Sequence, residues 1–166
     1  YAEEGYAVLG YAKNGGHFTG LPYIIEEIED VPEEYYERVF RRLKGIPWTI
    51  LETERCIVRE ITVEDVDRLY ELYADPSVTQ YMESLFPTME QEREYTRQYI
   101  RNIYELYEFG MWVIERKEDH LLIGRAGVEQ NEGMEGLELG FMLGVAYQHQ
   151  GYAYEVCTAI MQYAYE

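Results

Sequence analysis

The amino-acid sequence predicts an α/β (α+β) protein with a mixed, mainly antiparallel sheet flanked by helices, preceded by a small strand-strand-helix segment. Three observations predict this fold. Apolar residues recur at helical spacing in separate stretches, and three extended runs follow one another with only short polar turns between them. A chain of 166 residues that is 47% hydrophobic can also bury one substantial core plus an appendage.

Residues 1–47 form the predicted N-terminal segment. Two short strands are expected on either side of a glycine-rich turn, at 6–11 and 23–28 around 14–16. Pro32 then begins a helix whose acidic residues come first and whose basic residues come last. Its apolar positions are Tyr35, Val39 and Leu43. Gly45 ends the helix, and we place the boundary after Pro47, which gives units of 1–47 and 48–166.

The main domain begins with residues 50–61, which are rich in β-branched side chains and predict an extended segment. Thr62 and Asp65 have the spacing of a helix-capping pair for residues 63–74. The predicted buried face of that helix is Val66, Leu69, Tyr70 and Tyr73.

A second helix is predicted to begin at Thr88, because Gln91 follows at capping distance, and to end at Gly110. Its apolar residues share one side: Tyr95, Tyr99, Ile103 and Leu106. Helical spacing alone explains these tyrosines, so we interpret them as core residues rather than catalytic acids.

Three runs then predict an antiparallel meander, at 111–116, 120–130 and 136–145, with turns at 117–119 and 131–133. The last run leads through a loop into a final helix. Its predicted buried face is Ala153, Cys157, Ile160, Met161 and Ala164.

The formal net charge of −18 repels nucleic-acid phosphates and anionic lipids, so neither nucleic acid nor a membrane surface is an expected partner. The charge serves solubility or favours a cationic substrate. No apolar run long enough for a membrane span and no signal peptide is present, so we expect a cytoplasmic protein. Cys56 and Cys157 belong to no metal-binding or disulfide pattern, and we expect both to be buried, with no metal site.

The segment 137–153 carries the chemistry that the sequence indicates, because it runs from a strand through a loop into a helix. Gly151 and Ala153 are small residues at the start of that helix, where an anion can approach unpaired backbone N–H groups. The helix dipole also favours negative charge there. This pattern is typical of a pyrophosphate site, although ordinary helices also begin in this way.

Gln148-x-x-Gly151-x-Ala153 resembles the Q/R-x-x-G-x-G/A signature of the GNAT acetyltransferases. Segments 137–143 and 51–65 resemble the matching segments of the RimJ/RimL-like branch, which modifies protein N-termini. The resemblance covers 51–166 and implies an acetyl-coenzyme A-dependent N-acetyltransferase that acts on a primary amine, either a protein N-terminus or a small cationic amine. The implied cofactor-binding residues are Phe141, Met142, Leu143, Gln148, His149, Gln150, Gly151, Tyr152 and Ala153.

The resemblance also implies a carboxylate base, since an ammonium must lose a proton before it attacks a thioester. Glu138 is the first candidate and Glu129 the alternate, and either could instead be a solvated acid on a strand face. His149 and Gln150 stand where relatives often carry glycine and a basic residue. We interpret His149 as facing phosphate or solvent rather than as a base.

The chain begins without methionine, and relatives continue beyond the signature helix with strands that complete the cofactor cleft. We therefore expect a piece of a longer protein whose C-terminal part is missing. A strand edge left unpaired in this way predicts a homodimer. The alternative to an enzyme is a catalytically silent coenzyme A-binding or interaction module.

Residues 5–11 and 20–25 weakly resemble the tail of a haloacid-dehalogenase-type hydrolase. The N-terminal segment is therefore either a remnant of an upstream domain or an extension specific to the family.

Overall fold

The computed structural model describes residues 4–13, 19–29, 31–80, 84–130 and 136–165. The chain forms two compact units, Tyr1–Trp48 and Thr49–Glu166. In the first unit, strands β1 (Gly10–Tyr11) and β2 (Ile24–Ile25) pair in parallel. The glycine-rich turn predicted at 14–16 lies outside the described residues.

Helix α1 (Glu33–Leu43) completes the first unit and confirms the predicted helix. Pro32 occupies the N-cap position with the extended backbone typical of that position, and its φ of −61° is the value that the proline ring imposes. Val39 is buried. Gly45 follows the helix in the left-handed conformation, with a φ of 66°.

The second unit contains a five-stranded antiparallel sheet in the order β3-β4-β5-β6-β7, which confirms the predicted meander. Its strands are β3 (Thr49–Glu52), β4 (Cys56–Arg59), β5 (Met111–Arg116), β6 (Leu122–Glu129) and β7 (Glu138–Leu143). Residues 50–61, predicted as one extended run, contain two strands separated by a turn. Thr53 closes this turn: its N–H donates to Cys56 O at 2.8 Å, and its Oγ1 accepts from Cys56 N–H at 3.0 Å. The predicted turn at 131–133 lies outside the described residues.

Helix α2 (Val66–Tyr73) follows a 3₁₀ turn, Val63–Asp65. The predicted capping pair is confirmed: Thr62 N–H donates to Asp65 Oδ2 at 2.7 Å. The predicted buried face is partly wrong, because Leu72 is buried and Tyr70 is not. The Tyr70 hydroxyl instead donates to a backbone carbonyl near the surface, at Phe86.

Helix α3 (Met89–Tyr99) begins at Thr88, whose Oγ1 accepts from Gln91 N–H, as predicted. It continues into a π-helical turn (Ile100–Tyr104) and a short helix α4 (Glu105–Tyr107). The predicted apolar side is wrong at Tyr95 and Leu106, which are 44% and 71% exposed. The π turn inserts an extra residue and shifts the phase, so the buried tyrosines are Tyr99 and Tyr104, five positions apart.

Helix α5 (Tyr152–Tyr165) carries the buried residues Tyr152, Val156, Cys157 and Ile160. The prediction is wrong at Met161 and Ala164, because residues 161–165 are all exposed where the helix extends past the buried surface. Cys56 and Cys157 are buried and free, as predicted.

The two faces of the sheet have different helical partners. Tyr163 on α5 packs its ring 5.9 Å from that of Trp112, which pairs with Ala126 on β6. Tyr99 on α3 contacts Glu129. Glu129 lies three residues beyond Ala126 on β6, and its side chain is therefore on the opposite face of the sheet. Among the described residues, no helix has both the length and the apolar character that crossing a membrane requires.

Candidate active site

The loop between β7 and α5 holds most of the residues implied to bind the cofactor. It begins with a 3₁₀ turn, Val145–Tyr147. Its backbone then adopts the left-handed conformation twice, at His149 (φ 59°) and at Gly151 (φ 85°). That conformation costs most L-residues about 1–2 kcal/mol, a penalty that glycine avoids. Gly151 therefore suits its position, whereas His149 carries backbone strain.

The first turn of α5 leaves main-chain donors available. Gly151 O accepts the first bond of the helix, from Glu155 N–H at 3.1 Å. In the part of the chain that the structure describes, the N–H groups of residues 151–154 have no protein acceptor. Gly151 is exposed and the positive end of the helix dipole coincides with these donors. This arrangement fits the diphosphate of a nucleotide cofactor.

The two glutamines of the loop shape it from within. Gln148 Nε2 donates to Leu143 O at 2.9 Å, and Gln150 Nε2 donates to Ala146 O at 2.7 Å. Both side chains therefore bind backbone carbonyls of the loop or the strand before it. Each of these bonds uses one N–H of a side-chain amide.

Arg55, in the turn between β3 and β4, forms hydrogen bonds with the loop and with the first turn of α5. Its Nε and its backbone N–H donate to the two carboxylate oxygens of Glu155 at 2.7 and 2.9 Å. Its Nη1 donates to Gln150 O at 3.0 Å, and the guanidinium lies 4.2 Å from the ring centroid of Tyr152. A Cβ at Gly151 would stand 3.4 Å from Arg55 Nη2. We call this set of contacts the Arg55 latch.

The latch changes the electrostatics of Glu155. Burial alone would raise the pKa of this carboxyl, but hydrogen bonds from Thr53 and Arg55 outweigh burial and hold the pKa below its usual value. Glu155 is therefore ionised at neutral pH and keeps its two bonds to Arg55.

The opposite end of β7 brings the two predicted bases together. Glu138 and Glu129 are direct partners in the β6–β7 register. Side chains directly opposite in an antiparallel pair lie on the same face, with Cβ atoms about 4.5–5.5 Å apart. Both residues are exposed. We call them the carboxylate pair; β7 separates it from the loop by about 17 Å, at about 3.4 Å per residue.

Tyr99 orients one member of the pair. Its hydroxyl accepts from Met111 N–H at 2.7 Å and donates to Glu129 Oε1 at 3.2 Å. Gly110 permits this approach, because a Cβ there would stand 2.6 Å from the Tyr99 hydroxyl. Burial, and to a lesser extent the charge of Glu129, raises the pKa of Tyr99 above its ordinary value, so this hydroxyl stays protonated and remains a donor.

The strand residues implied to line the cofactor differ in what they can offer. Gly144 N–H donates to Ile123 O at 3.0 Å. Hydrogen-bonded residues alternate along an antiparallel pair without register shifts, so the even-numbered residues of β7 are the ones that bond to β6. The main-chain N–H of Leu143 therefore points away from β6, and that of Met142 toward it. Phe141 has an exposed side chain.

Sequence reasoning missed Arg55 and Tyr99 as site residues. Arg55 lies 100 positions before its partner Glu155, and no spacing rule connects the two. Tyr99 was interpreted as a core residue, which it is, but its hydroxyl also serves Glu129. The cap at Thr88 and the glycine at Gly110, at the two ends of the predicted helix, are the signal that could have drawn attention to Tyr99.

Residues 55–166 match the family model of the acetyltransferase (GNAT) domain. The chain is 28% identical over 116 residues to the uncharacterized N-acetyltransferase YnaD of Bacillus subtilis, covering 70% of this chain and 65% of YnaD. It is 30% identical over 119 residues to the uncharacterized N-acetyltransferase p20 of Bacillus licheniformis, covering 69% and 65%. The chain thus spans just under two thirds of the length of these relatives. The solved structure of RimL, a ribosomal L7/L12 alpha-N-protein acetyltransferase, matches with a TM-score of 0.57 at 17% identity, over 72% of this chain and 65% of that one, and shows a shared fold.

Proposed function

This chain belongs to the GNAT acetyltransferase family, and we propose on that premise that it binds acetyl-coenzyme A and transfers the acetyl group to a primary amine. One observation carries the proposal: among the residues that the structure describes, nothing accepts from the N–H groups of residues 151–154, which lie at the positive end of a 14-residue helix. Such donors bind diphosphates without any basic side chain.

We propose that the main chain of the loop, from Gln148 to Ala153, holds the diphosphate, and that Leu143 offers its outward N–H to the acyl arm. Phe141 and Met142 are the two residues before Leu143 on β7. Acetyl-coenzyme A, when bound, supplies an activated acetyl thioester, and the net exchange turns an ammonium and this thioester into an amide, a thiol and one released proton.

The carboxylate pair supplies the base. An ammonium has no lone pair and must give a proton to a neighbouring acceptor before its nitrogen can form the new bond. Glu138 begins the strand that leads to the loop and is the first candidate. Glu129, its cross-strand neighbour, is the alternate, and Tyr99 holds its carboxylate in place.

We propose a cationic acceptor, because the formal charge of −18 attracts cations. RimL is named for acetylation of a ribosomal protein N-terminus. That name and the resemblance of segments 51–65 and 137–143 to the RimJ/RimL-like branch support a protein N-terminus as one candidate acceptor. A small cationic amine is the other.

Isothermal titration with acetyl-coenzyme A tests cofactor binding, and release of free thiol in the presence of peptides, polyamines and simple amines tests turnover. We expect saturable binding and thiol release with at least one amine. Glu138→Gln is expected to lower turnover and leave binding intact. Binding without thiol release from any amine would favour the silent module, and absence of binding would reject the proposal.

We also propose self-association through β7. This strand is at the end of the described sheet and pairs there with β6, so its other edge has no strand partner among the described residues. Exposed edges of this kind pair readily with another chain. Light scattering is expected to show a dimer, and a strictly monomeric species would contradict this proposal.

For residues 1–47 we propose a remnant of a hydrolase-like neighbour. The parallel pairing of β1 and β2 supports this origin, since consecutive strands of such α/β sheets run parallel. The coding sequence ahead of Tyr1 tests it. An upstream hydrolase domain would favour the remnant, and its absence would favour an extension specific to the family.

A further inference from the structure

A cavity of about 520 Å³ opens beside Glu129. The end of α3 and the π turn form one wall, and the end of β6 forms another. Its volume falls within the range of small-molecule sites, about 300–1,000 Å³. Of the site residues implied by the sequence, Glu129 alone is among its described lining residues.

Aromatic rings dominate the walls of this cavity. The rings of Tyr95 and Tyr99 lie 6.0 Å apart on one side, and those of Tyr107 and Phe109 lie 5.9 Å apart on another. Glu108, between the latter two, is left-handed with a φ of 60°, so the chain turns sharply there. The described lining therefore includes four aromatic residues, a composition that suits an apolar or cationic guest.

One charged side chain lies among these rings. Glu129 is the carboxylate among the described lining residues, and the amide side chains there are neutral: Gln98, Asn102 and Gln130. Glu129 Oε1 is fixed by the Tyr99 hydroxyl, which limits rotation of the carboxylate. A fixed anion beside aromatic rings attracts an ammonium through both its charge and the ring quadrupoles.

We infer that this cavity is the acceptor pocket and that its ligand is a small amine with one ammonium on an aromatic or other apolar body. The inference rests on the proposed function and narrows its acceptor class. The ammonium lies against Glu129, whose cross-strand neighbour is Glu138, and the apolar body lies against the rings. From there the ammonium proton can pass to a carboxylate oxygen, which leaves a neutral nitrogen.

The composition of the lining argues against the other acceptors. A polyamine carries several ammonium groups, and each would need its own anion to offset lost hydration. A peptide N-terminus carries backbone amides that lose hydrogen bonds against aromatic walls. An amine with an apolar body satisfies the lining with one ion pair and buried apolar surface.

Direct binding to the full chain without coenzyme A tests the inference, by calorimetric titration with 2-phenylethylamine, 2-phenylethanol, spermidine and a short peptide with a free N-terminus. We expect 2-phenylethylamine to bind at least about tenfold more tightly than each of the other three. Glu129→Gln and Tyr107→Ala are expected to weaken its binding about tenfold and about fivefold. Leu106→Ala, on the same helix and outside the cavity, serves as the matched control and is expected to change binding less than twofold.

Coenzyme A titrations on the same variants separate this inference from the proposed function, because the loop lies at the other end of β7. We expect unchanged coenzyme A affinity in Glu129→Gln and Tyr107→Ala. A protein that binds coenzyme A but binds spermidine or the peptide more tightly than 2-phenylethylamine would overturn the acceptor class. A protein that binds coenzyme A and no amine would overturn the pocket, and equal binding of 2-phenylethanol would overturn the role of Glu129.

Discussion

The two ends of β7 are built from different chemistry. At the loop end, the candidate ligands are main-chain N–H groups, which need a backbone conformation and little else. At the other end, the carboxylate pair and the aromatic cavity depend on side chains brought together by strand register and by the phase of a helix. Binding at the loop end is therefore expected to depend first on backbone conformation, and binding at the cavity end first on the identity of side chains.

The largest expected effect breaks the backbone at the loop end. Gly151→Val places a β-branched residue at a φ of 85° and a side chain against Arg55. We expect coenzyme A affinity to fall about 100-fold, or about 2.7 kcal/mol, in calorimetric titration. Gly20→Val is a matched control, because Gly20 has the same φ with open space around it. If Gly151→Val bound coenzyme A within threefold of wild type, the backbone account of the loop would be wrong.

The next effect removes one hydroxyl at the cavity end. Tyr99→Phe leaves Met111 N–H without its 2.7 Å acceptor and Glu129 without a donor. We expect the free energy of unfolding to fall by about 1–3 kcal/mol in urea denaturation. Coenzyme A affinity is expected to stay unchanged. Tyr107→Phe, at a more exposed ring, is expected to change stability by less than about 0.5 kcal/mol, and an equal loss in both variants would remove the special role of Tyr99.

A smaller effect loosens the latch without touching the loop backbone. Arg55→Ala removes the bonds to Glu155 and Gln150 and the stacking on Tyr152. We expect coenzyme A affinity to fall about tenfold because the loop must then be ordered on binding. Arg97→Ala, which breaks an exposed ion pair on α3, is the control and is expected to have no effect.

The latch also has an expected pH dependence. Because the pKa of Glu155 is lowered in the folded protein, its stabilising effect is present above the usual glutamate pKa of about 4.3 and disappears as pH falls below it. The stability difference between wild type and Arg55→Ala is expected to be constant from about pH 7 to 5 and to shrink below about pH 4. A difference that grew on acidification would contradict the assignment.

The smallest effect relieves strain in the loop. His149→Gly removes the side chain that makes a φ of 59° unfavourable, while glycine adds flexibility to the unfolded chain. We expect a gain of at most about 1 kcal/mol in stability. His149→Ala keeps the Cβ and is expected to give no gain, and an equal gain in both would mean that the imidazole rather than the backbone carries the strain.

The loop end could be predicted from the sequence because its determinants are local. Gly151 and Ala153 lie within one turn of the donors that they expose, and the strand before them is a continuous run. The meander was predictable for the same reason, since each turn joins neighbours in sequence. Helix α1 likewise follows from Pro32, Gly45 and the spacing between them.

The cavity end could not be predicted because its determinants are remote. The pairing of Glu129 with Glu138 depends on the β6–β7 register, which local composition does not set. The side of the chain that faces the sheet after α3 depends on the π turn, and no residue type marks that turn in advance. The predicted buried position Leu106 was wrong for this reason, whereas Tyr95 precedes the turn and lies beside the buried positions Glu92, Thr96 and Tyr99. The Arg55 latch went unseen because its partners lie about 100 residues away.

Amide chemical shifts in ¹H–¹⁵N spectra test most directly whether the main chain at the start of α5 binds a diphosphate. Titration with coenzyme A is expected to move the amides of Gly151, Tyr152, Ala153 and Tyr154 the most. Titration with pantetheine, which lacks the diphosphate, is expected to leave them in place. Shifts that were equally large with pantetheine, or that left residues 151–154 unmoved by coenzyme A, would contradict the account.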